Sequence, residues 1–142
     1  LLMKHIVEHN LIQDIIKNLK EIYEMVDLGT NSTDSCDYPD YAFKLGEKVV
    51  KKEVDFGVAI CGSGIGISIA CNKVKGIRCA KGDKVEEAIA TRIDNDANII
   101  AFGEKTNLED ALNFIEVFVN TEASKEEKHV RRRNKINEYE DK

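Results

Sequence analysis

The segment Cys61-Gly-Ser-Gly-Ile-Gly66 holds the chain's strongest candidates for chemistry. Glycines at alternate positions let backbone N–H groups converge on one point, because no Cβ blocks the approach and positive φ is permitted. A helix starting behind such a turn adds its partial positive charge, so the turn suits an anion. Glycines also serve simply to turn tightly from strand to helix, and both readings stand at this point. Cys61 sits at the mouth of this nest, where a thiolate is stabilised and can carry a proton. A small buried cysteine ending an apolar strand is an equally good reading of the residue by itself, and it is the reading that suits Cys71 and Cys79.

A second group lies near the C-terminus, where Lys128, His129, Arg131, Arg132 and Arg133 form the dense basic cluster of an otherwise acidic protein. A dianionic phosphate suits such a cluster, although a solvated helix face balanced by Glu122, Glu126 and Glu127 accounts for the same charges. Asn95, Asp96 and Asn98 are polar residues at the boundary before an apolar strand. The glycine turn lacks the four-residue spacing and the Lys-Ser/Thr of a nucleotide-hydrolase phosphate loop. A dinucleotide fingerprint fits Gly62, Gly64 and Asp83, but its third glycine falls on Ile67.

The elements that position these residues follow from periodicity. Leu11, Ile12, Ile15, Ile16, Leu19 and Ile22 recur at helical spacing. Glu24 to Leu28 reads as a strand ending at Gly29, followed by a polar loop over Thr30 to Asp37. Pro39, the chain's one proline, suits the first turn of a helix carrying Ala42, Leu45, Val49 and Val50. Phe56 to Cys61 is the continuous apolar run of a parallel strand buried on both faces, and the helix after the glycine turn runs to Lys73. Then come a strand over Ile77 to Ala80, a helix over Val85 to Ile93, a strand over Ala97 to Phe102, and a helix with Leu108, Leu112, Ile115 and Val119. This alternation predicts an α/β fold, a doubly wound, three-layer, Rossmann-like parallel sheet. One α/β domain spans residues 1–123, and residues 124–142 form a charged tail or helix.

With 142 residues and 42% hydrophobic composition the chain has material for one core. A net charge of −5 gives no general attraction for nucleic acid or an anionic membrane, so any anion is bound locally. Cys36, Cys61, Cys71 and Cys79 lack paired metal or redox spacing, and reduced thiols in a cytoplasmic protein are expected. No apolar run approaches the roughly 20 residues of a membrane span, and the histidine-containing start is unlike a signal peptide.

Taken together, Asp27-Leu-Gly-Thr30, Asp37-Tyr-Pro-Asp-Tyr-Ala42, Cys61-Gly-Ser-Gly-Ile-Gly66, Ala70-Cys-Asn-Lys73, Gly76-Ile-Arg78, Asn95-Asp-Ala-Asn98 and His129-x-x-Arg132 resemble the ribose-5-phosphate isomerase B family, which includes galactose-6-phosphate isomerase subunits. The resemblance spans about residues 24–136. It implies aldose-ketose interconversion without a cofactor or metal, in a dimer or tetramer with active sites between subunits. By position it makes Cys61 the base, gives Ser63 a proton-relay or orienting role, and makes the N–H groups of Gly62 to Gly66 the holders of an enediolate oxygen. It places Tyr38 and Asn95 on the sugar, and Lys128, His129 and Arg132 on the phosphate.

Two departures stand out. Asp94 occupies the position where the family usually has the histidine that helps to open the sugar ring, and a carboxyl group is a poorer proton donor near neutrality than an imidazole. The family's first strand, ending in Asp-His-Ala/Gly-Gly, has no plain counterpart. Either Glu8-His9-Asn10 is a degenerate version after Lys4 to Val7, making His9 a weak site candidate, or Leu1 to Lys4 aligns with the first helix and the strand lies upstream. The second reading is favoured, and in it His9 is a solvated helix residue. The leading expectation is a ribose 5-phosphate isomerase, with five- against six-carbon substrates left open. An inactive sugar-phosphate-binding subunit and a nucleotide-binding module are the alternatives.

Overall fold

The computed structural model describes residues 9–28 and 37–142, with side chains from Leu11 onward. Its elements are α1 (His9–Leu19), α2 (Tyr38–Val50), β1 (Gly57–Cys61), α3 (Ile65–Cys71), β2 (Cys79–Lys81), α4 (Val85–Asn95), β3 (Ile99–Gly103), α5 (Leu108–Asn120) and α6 (Glu127–Glu140). The described strands are parallel in the order β1-β3-β2. Gly57 lies opposite Ile99 and Cys61 opposite Gly103, so β1 and β3 start and finish together.

Period-two alternation divides the core between the two faces of the sheet. Val58, Ile60, Ile100 and Phe102 point to one face and pack with Leu11, Ile12, Ile15 and Leu19 of α1 and with Ala111, Phe114, Ile115 and Phe118 of α5. Ala59, Cys61, Ile99 and Ala101 point to the other, against Ala42, Leu45 and Val49 of α2 and Ile67, Ala70 and Cys71 of α3. The result is the expected three-layer, Rossmann-like arrangement. Phe102 meets Phe114 edge-on at 6.3 Å between ring centroids, and burying each such side chain contributes about 1.5–3 kcal/mol.

Pro39 falls in the first turn of α2, where a missing N–H costs nothing, so the helix starts at Tyr38. By contrast, α6 buries no residue and is held by polar contacts. Arg133 Nη2 donates to the Ser124 carbonyl at 2.8 Å. Asn137 Oδ1 accepts from Arg78 Nη1 at 3.1 Å, the Glu140 carboxylate accepts from the Gly76 N–H at 3.2 Å, and Lys75 pairs with Asp141.

The structure corrects several sequence expectations. Glu24 to Leu28 is not a strand: it has no ladder partner among the described residues, and a strand exists only through its neighbour's N–H and C=O groups. The strand expected from Ile77 begins at Cys79, because the Arg78 N–H is taken by the Asn98 side chain at 2.9 Å. The strand expected from Ala97 begins at Ile99, since the Ala97 N–H donates back to Thr91 in α4 at 3.1 Å. That helix runs on to Asn95 and is closed by Asp96 in the left-handed region at φ 47°. The readings of Leu1 to Lys4, of Lys4 to Val7, of the loop over Thr30 to Cys36 and of the His9 side chain lie outside the described residues.

Candidate active site

Cys61 ends β1 and is buried, at 6% exposure. Its position is set from two sides. The Gly64 N–H donates to Cys61 Sγ at 3.2 Å, and the Cys61 carbonyl accepts from the Glu104 N–H at 2.9 Å, just past the end of β3. Ser63 Oγ accepts from the Ile65 N–H at 3.1 Å, so the hydroxyl folds back over the start of α3. This modifies the expected nest: the N–H groups of Gly64 and Ile65 are directed at side chains of the turn itself. Those donors are spent because a turn this tight brings Cys61 and Ser63 within reach of the amides two and three residues on.

The glycines have different reasons for being there. Gly64 has φ +81°, and a Cβ on it would lie 2.7 Å from the Phe102 carbonyl carbon. Only glycine lets the turn lie flat on the end of β3. A Cβ on Gly66 would collide with the Tyr38 hydroxyl, so the absence of a side chain there seats Tyr38 beside the turn. A Cβ on Gly62 meets nothing within 4 Å, which leaves that residue facing open space. Gly103, which sequence reasoning missed, matters too: its Cβ would lie 3.1 Å from the Gly62 carbonyl oxygen. A glycine ending an apolar strand signals such a close approach. Tyr38, Cys61, Gly62, Ser63, Gly64 and Gly66 thus form one constellation at the carboxyl ends of β1 and β3, where ligands of open α/β sheets bind.

Asp94, Asn95, Lys128, His129 and Arg132 form a second group. Asp94 and Asn95 close α4, and α6 lies against that end: His129 Nε2 is 3.5 Å from Asp94 Oδ1, and His129 Nδ1 is 3.4 Å from Glu126 Oε2. Of the basic cluster, Arg131 pairs with Glu127 and Arg133 is engaged by the Ser124 carbonyl. Lys128 and Arg132 are exposed, with no ion pair among the described residues. Sequence reasoning also missed the brace of this group: Arg78 Nε donates to the Asn95 and Asp96 carbonyls at 3.0 and 3.1 Å, fixing the turn after α4.

One chain does not bring the two groups together. Asn95 precedes β3, whereas Cys61 ends β1 in register with the last residue of β3. They therefore lie at opposite ends of the sheet, separated by about 13 Å of strand at roughly 3.3 Å per residue. A groove of about 650 Å³ among the described residues does not touch Cys61 either. It lies beside the second group, between Ile77, Ala80 and Ala97 on one side and Lys135, Ile136 and Tyr139 of α6 on the other. Ile136 and Tyr139 are 49% and 74% exposed, so the apolar side of α6 has no cover in the single chain.

Cys79 lines the same groove. The neighbouring Cys71 thiol, and then burial, push the Cys79 thiol well above the ordinary range, which keeps it protonated and inert. The described cysteines are all free. Among the described residues no cluster of three His, Cys, Asp or Glu side chains could hold a metal ion, and no helix is long and apolar enough to cross a membrane.

An open parallel sheet with a thiol and a glycine-rich turn at its carboxyl edge defines the class: a Rossmann-like α/β protein. Comparison with known proteins narrows it. The chain belongs to the ribose/galactose isomerase family, whose model matches residues 5–136. It is 52% identical over 97 residues to Putative sugar phosphate isomerase YwlF of Bacillus subtilis, covering 68% of this chain and 64% of that protein. It is 39% identical over 100 residues to ribose-5-phosphate isomerase B of Escherichia coli, covering 70% of this chain and 65% of that one. The aligned region thus spans slightly less than two thirds of each of these relatives. The solved structure of Clostridium thermocellum ribose-5-phosphate isomerase B superposes with a TM-score of 0.93 at 40% identity, covering 99% of this chain and 98% of that one.

Proposed function

We propose that the chain is a subunit of a sugar-phosphate isomerase that interconverts ribose 5-phosphate and ribulose 5-phosphate, with each active site built from two copies. The observation that carries the reading is Cys61, held at the strand end between the Gly64 N–H and the anchored backbone of Glu104. As thiolate it takes the proton from C2 of the open-chain aldose while the carbonyl electrons move onto O1. A proton passes from O2 to O1, and the carbon proton returns from Cys61 to C1 as the C2 carbonyl forms. The Gly64 and Ile65 N–H groups are directed at Cys61 and Ser63, so the enediolate formed between these steps carries its charge beside the remaining N–H groups of the glycine-rich turn, where preorganised donors stabilise charge as it develops. Tyr38 and Ser63 border the same space.

The second group supplies what this end of the sheet lacks. Lys128 and Arg132 bind the phosphate, with Asn95 against the sugar hydroxyls. Because that group sits at the other end of the sheet, it serves the Cys61 of a second copy. The uncovered Ile136 and Tyr139 offer an apolar surface for self-association as a dimer or larger oligomer.

A second reading, a subunit that binds sugar phosphate without turnover, draws on Asp94, a carboxyl where the family usually has an imidazole. The test is conversion of ribose 5-phosphate by the purified chain without added metal or nucleotide, with Cys61→Ala alongside. The expected result is turnover in the parent and loss of at least 10³-fold in the variant. Binding without turnover in the parent sinks the isomerase reading, and full activity in Cys61→Ala sinks the role of the thiol.

A further inference from the structure

We infer that Arg78 is a positioning residue: its guanidinium fixes the distance between Asn95, which meets the sugar, and the helix that carries the phosphate contacts. The inference rests on the isomerase reading above. A sugar phosphate engages both at once, with its phosphate at Lys128 and Arg132 of α6 and its hydroxyls at Asn95 of α4. These residues lie on separate elements, so the two ends of one substrate are met together only if α6 is held at a set distance from the end of α4.

Packing does not provide that distance. The helix buries no residue, so no apolar side chain defines how far it stands from the sheet. Its C-terminal half is set down instead on residues 76–78. That segment is clamped by the Asn98 side chain, which accepts from the Arg78 N–H at 2.9 Å and donates to the Gly76 carbonyl at 2.9 Å. From there the Arg78 side chain reaches both elements. Nε donates to the carbonyls of Asn95 and Asp96 at 3.0 and 3.1 Å, and Nη2 lies 3.4 Å from Asp96 Oδ2. Nη1 donates to Asn137 Oδ1 of α6 at 3.1 Å. The side chain is 18% exposed, so these bonds are largely shielded from water.

A guanidinium is flat and its N–H groups keep fixed directions, so the plane itself sets the gap between the end of α4 and α6. Asn137 lies five residues beyond Arg132, about 7.5 Å along the helix at roughly 1.5 Å per residue. A shift at Asn137 is therefore passed on to the phosphate contacts. Other bonds keep α6 attached when this one is lost: the Glu140 carboxylate with the Gly76 N–H, Lys75 with Asp141, and Arg133 with the Ser124 carbonyl. Lys128 and Arg132 share one helix and move together. Loss of the Arg78 link thus spares the phosphate contacts themselves and disturbs their distance from Asn95.

Inorganic phosphate reads the α6 contacts alone, whereas ribose 5-phosphate reads both ends of the site. The KM of ribose 5-phosphate and the competitive inhibition constant of inorganic phosphate are measured in wild type, Arg78→Lys, Asn137→Ala and Asn137→Asp. Lysine keeps the charge without the fork that reaches both elements, alanine removes the acceptor on α6, and aspartate keeps it. Displacement by about 1 Å away from the chemistry can cost up to about 10²-fold. The ratio of KM to the phosphate constant should rise about 10-fold in Arg78→Lys and Asn137→Ala, and stay within about two-fold of wild type in Asn137→Asp. Neither constant depends on how much of the protein is folded, so a merely structural role for Arg78 leaves the ratio unchanged. A ratio within about two-fold of wild type in either Arg78→Lys or Asn137→Ala overturns the inference while leaving the isomerase reading intact. So does an Asn137→Asp ratio as high as that of Asn137→Ala. Wild-type protein that does not turn over ribose 5-phosphate overturns the isomerase reading and the inference with it.

Discussion

Substituting Gly64 by alanine should damage this protein far more than the same change two residues earlier. At Gly64 the backbone has φ +81°, a conformation that costs an L-residue about 1–2 kcal/mol. The new Cβ would also lie 2.7 Å from the Phe102 carbonyl carbon and 2.9 Å from its Cα. Both are backbone atoms of β3, which cannot swing aside as the tip of a side chain can. Overpacking of this kind typically adds about 1–3 kcal/mol, so the combined loss is about 2–5 kcal/mol, a large part of the roughly 5–15 kcal/mol by which domains are stable. For a chain of this length the melting temperature should fall by about 5–15 °C. Gly62→Ala is the internal control. Its Cβ meets nothing within 4 Å and its φ is not positive, so its effect should stay within about 0.5 kcal/mol. Thermal unfolding followed by circular dichroism, at one protomer concentration for all variants, reads both. Equal shifts in the two variants, or a Gly64→Ala protein melting within about 2 °C of the parent, would refute the argument that the turn lies flat on Phe102.

Two further outcomes follow from the packing. The Cys71 thiol and burial hold the Cys79 thiol protonated in the folded state, whereas in the unfolded chain it ionises near pH 8.5. Stability from this group is complete below that pH and declines above it, by at most about 1.4 kcal/mol per pH unit. The stability difference between wild type and Cys79→Ala should therefore shift against wild type between pH 8.5 and 10, and urea midpoints that move in parallel over that range would refute the assignment. Arg92 is buried, stacked 4.9 Å from the Phe56 ring, and donates to the Ala97 and Thr121 carbonyls and to Asp96. Arg92→Met fills its space but strands those acceptors, so urea unfolding should show a loss of about 3 kcal/mol; a loss below about 1 kcal/mol would mean that water replaces the guanidinium.

Much of the fold was legible because its signals are local. The uninterrupted apolar run into Cys61 specified a strand buried on both faces, and the spacing of Leu11, Ile12, Ile15 and Leu19 specified which side of α1 is buried. Pro39 and the glycine turn marked where two helices begin. Glu24 to Leu28 misled because composition reports only that a segment could pair, while pairing depends on a neighbour elsewhere. The starts of β2 and β3 were misplaced for a related reason: side-chain and helix-end hydrogen bonds around Arg78, Ala97 and Asn98 took the amides first.

The two halves of the candidate site were unequally legible as well. The Cys61 half lies within six consecutive residues apart from Tyr38, so spacing alone exposed it. The Asp94 and His129 half joins residues 35 positions apart, and no sequence rule places an imidazole between Asp94 and Glu126. That the halves sit at opposite ends of the sheet emerged only from the parallel register of β1 and β3.

That separation makes the two-copy site the central claim, and subunit complementation tests it most directly. Cys61→Ala and the double variant Lys128→Ala/Arg132→Ala are each assayed alone, then mixed in equal amounts under conditions that let subunits exchange. In a two-fold dimer half of the reassorted molecules are mixed, and each of those holds one site with both halves intact. Activity should therefore recover to about one quarter of wild type from two nearly inactive parents. A mixture no more active than the sum of its parents, with exchange verified by mass, would contradict the account and confine the active site to a single chain.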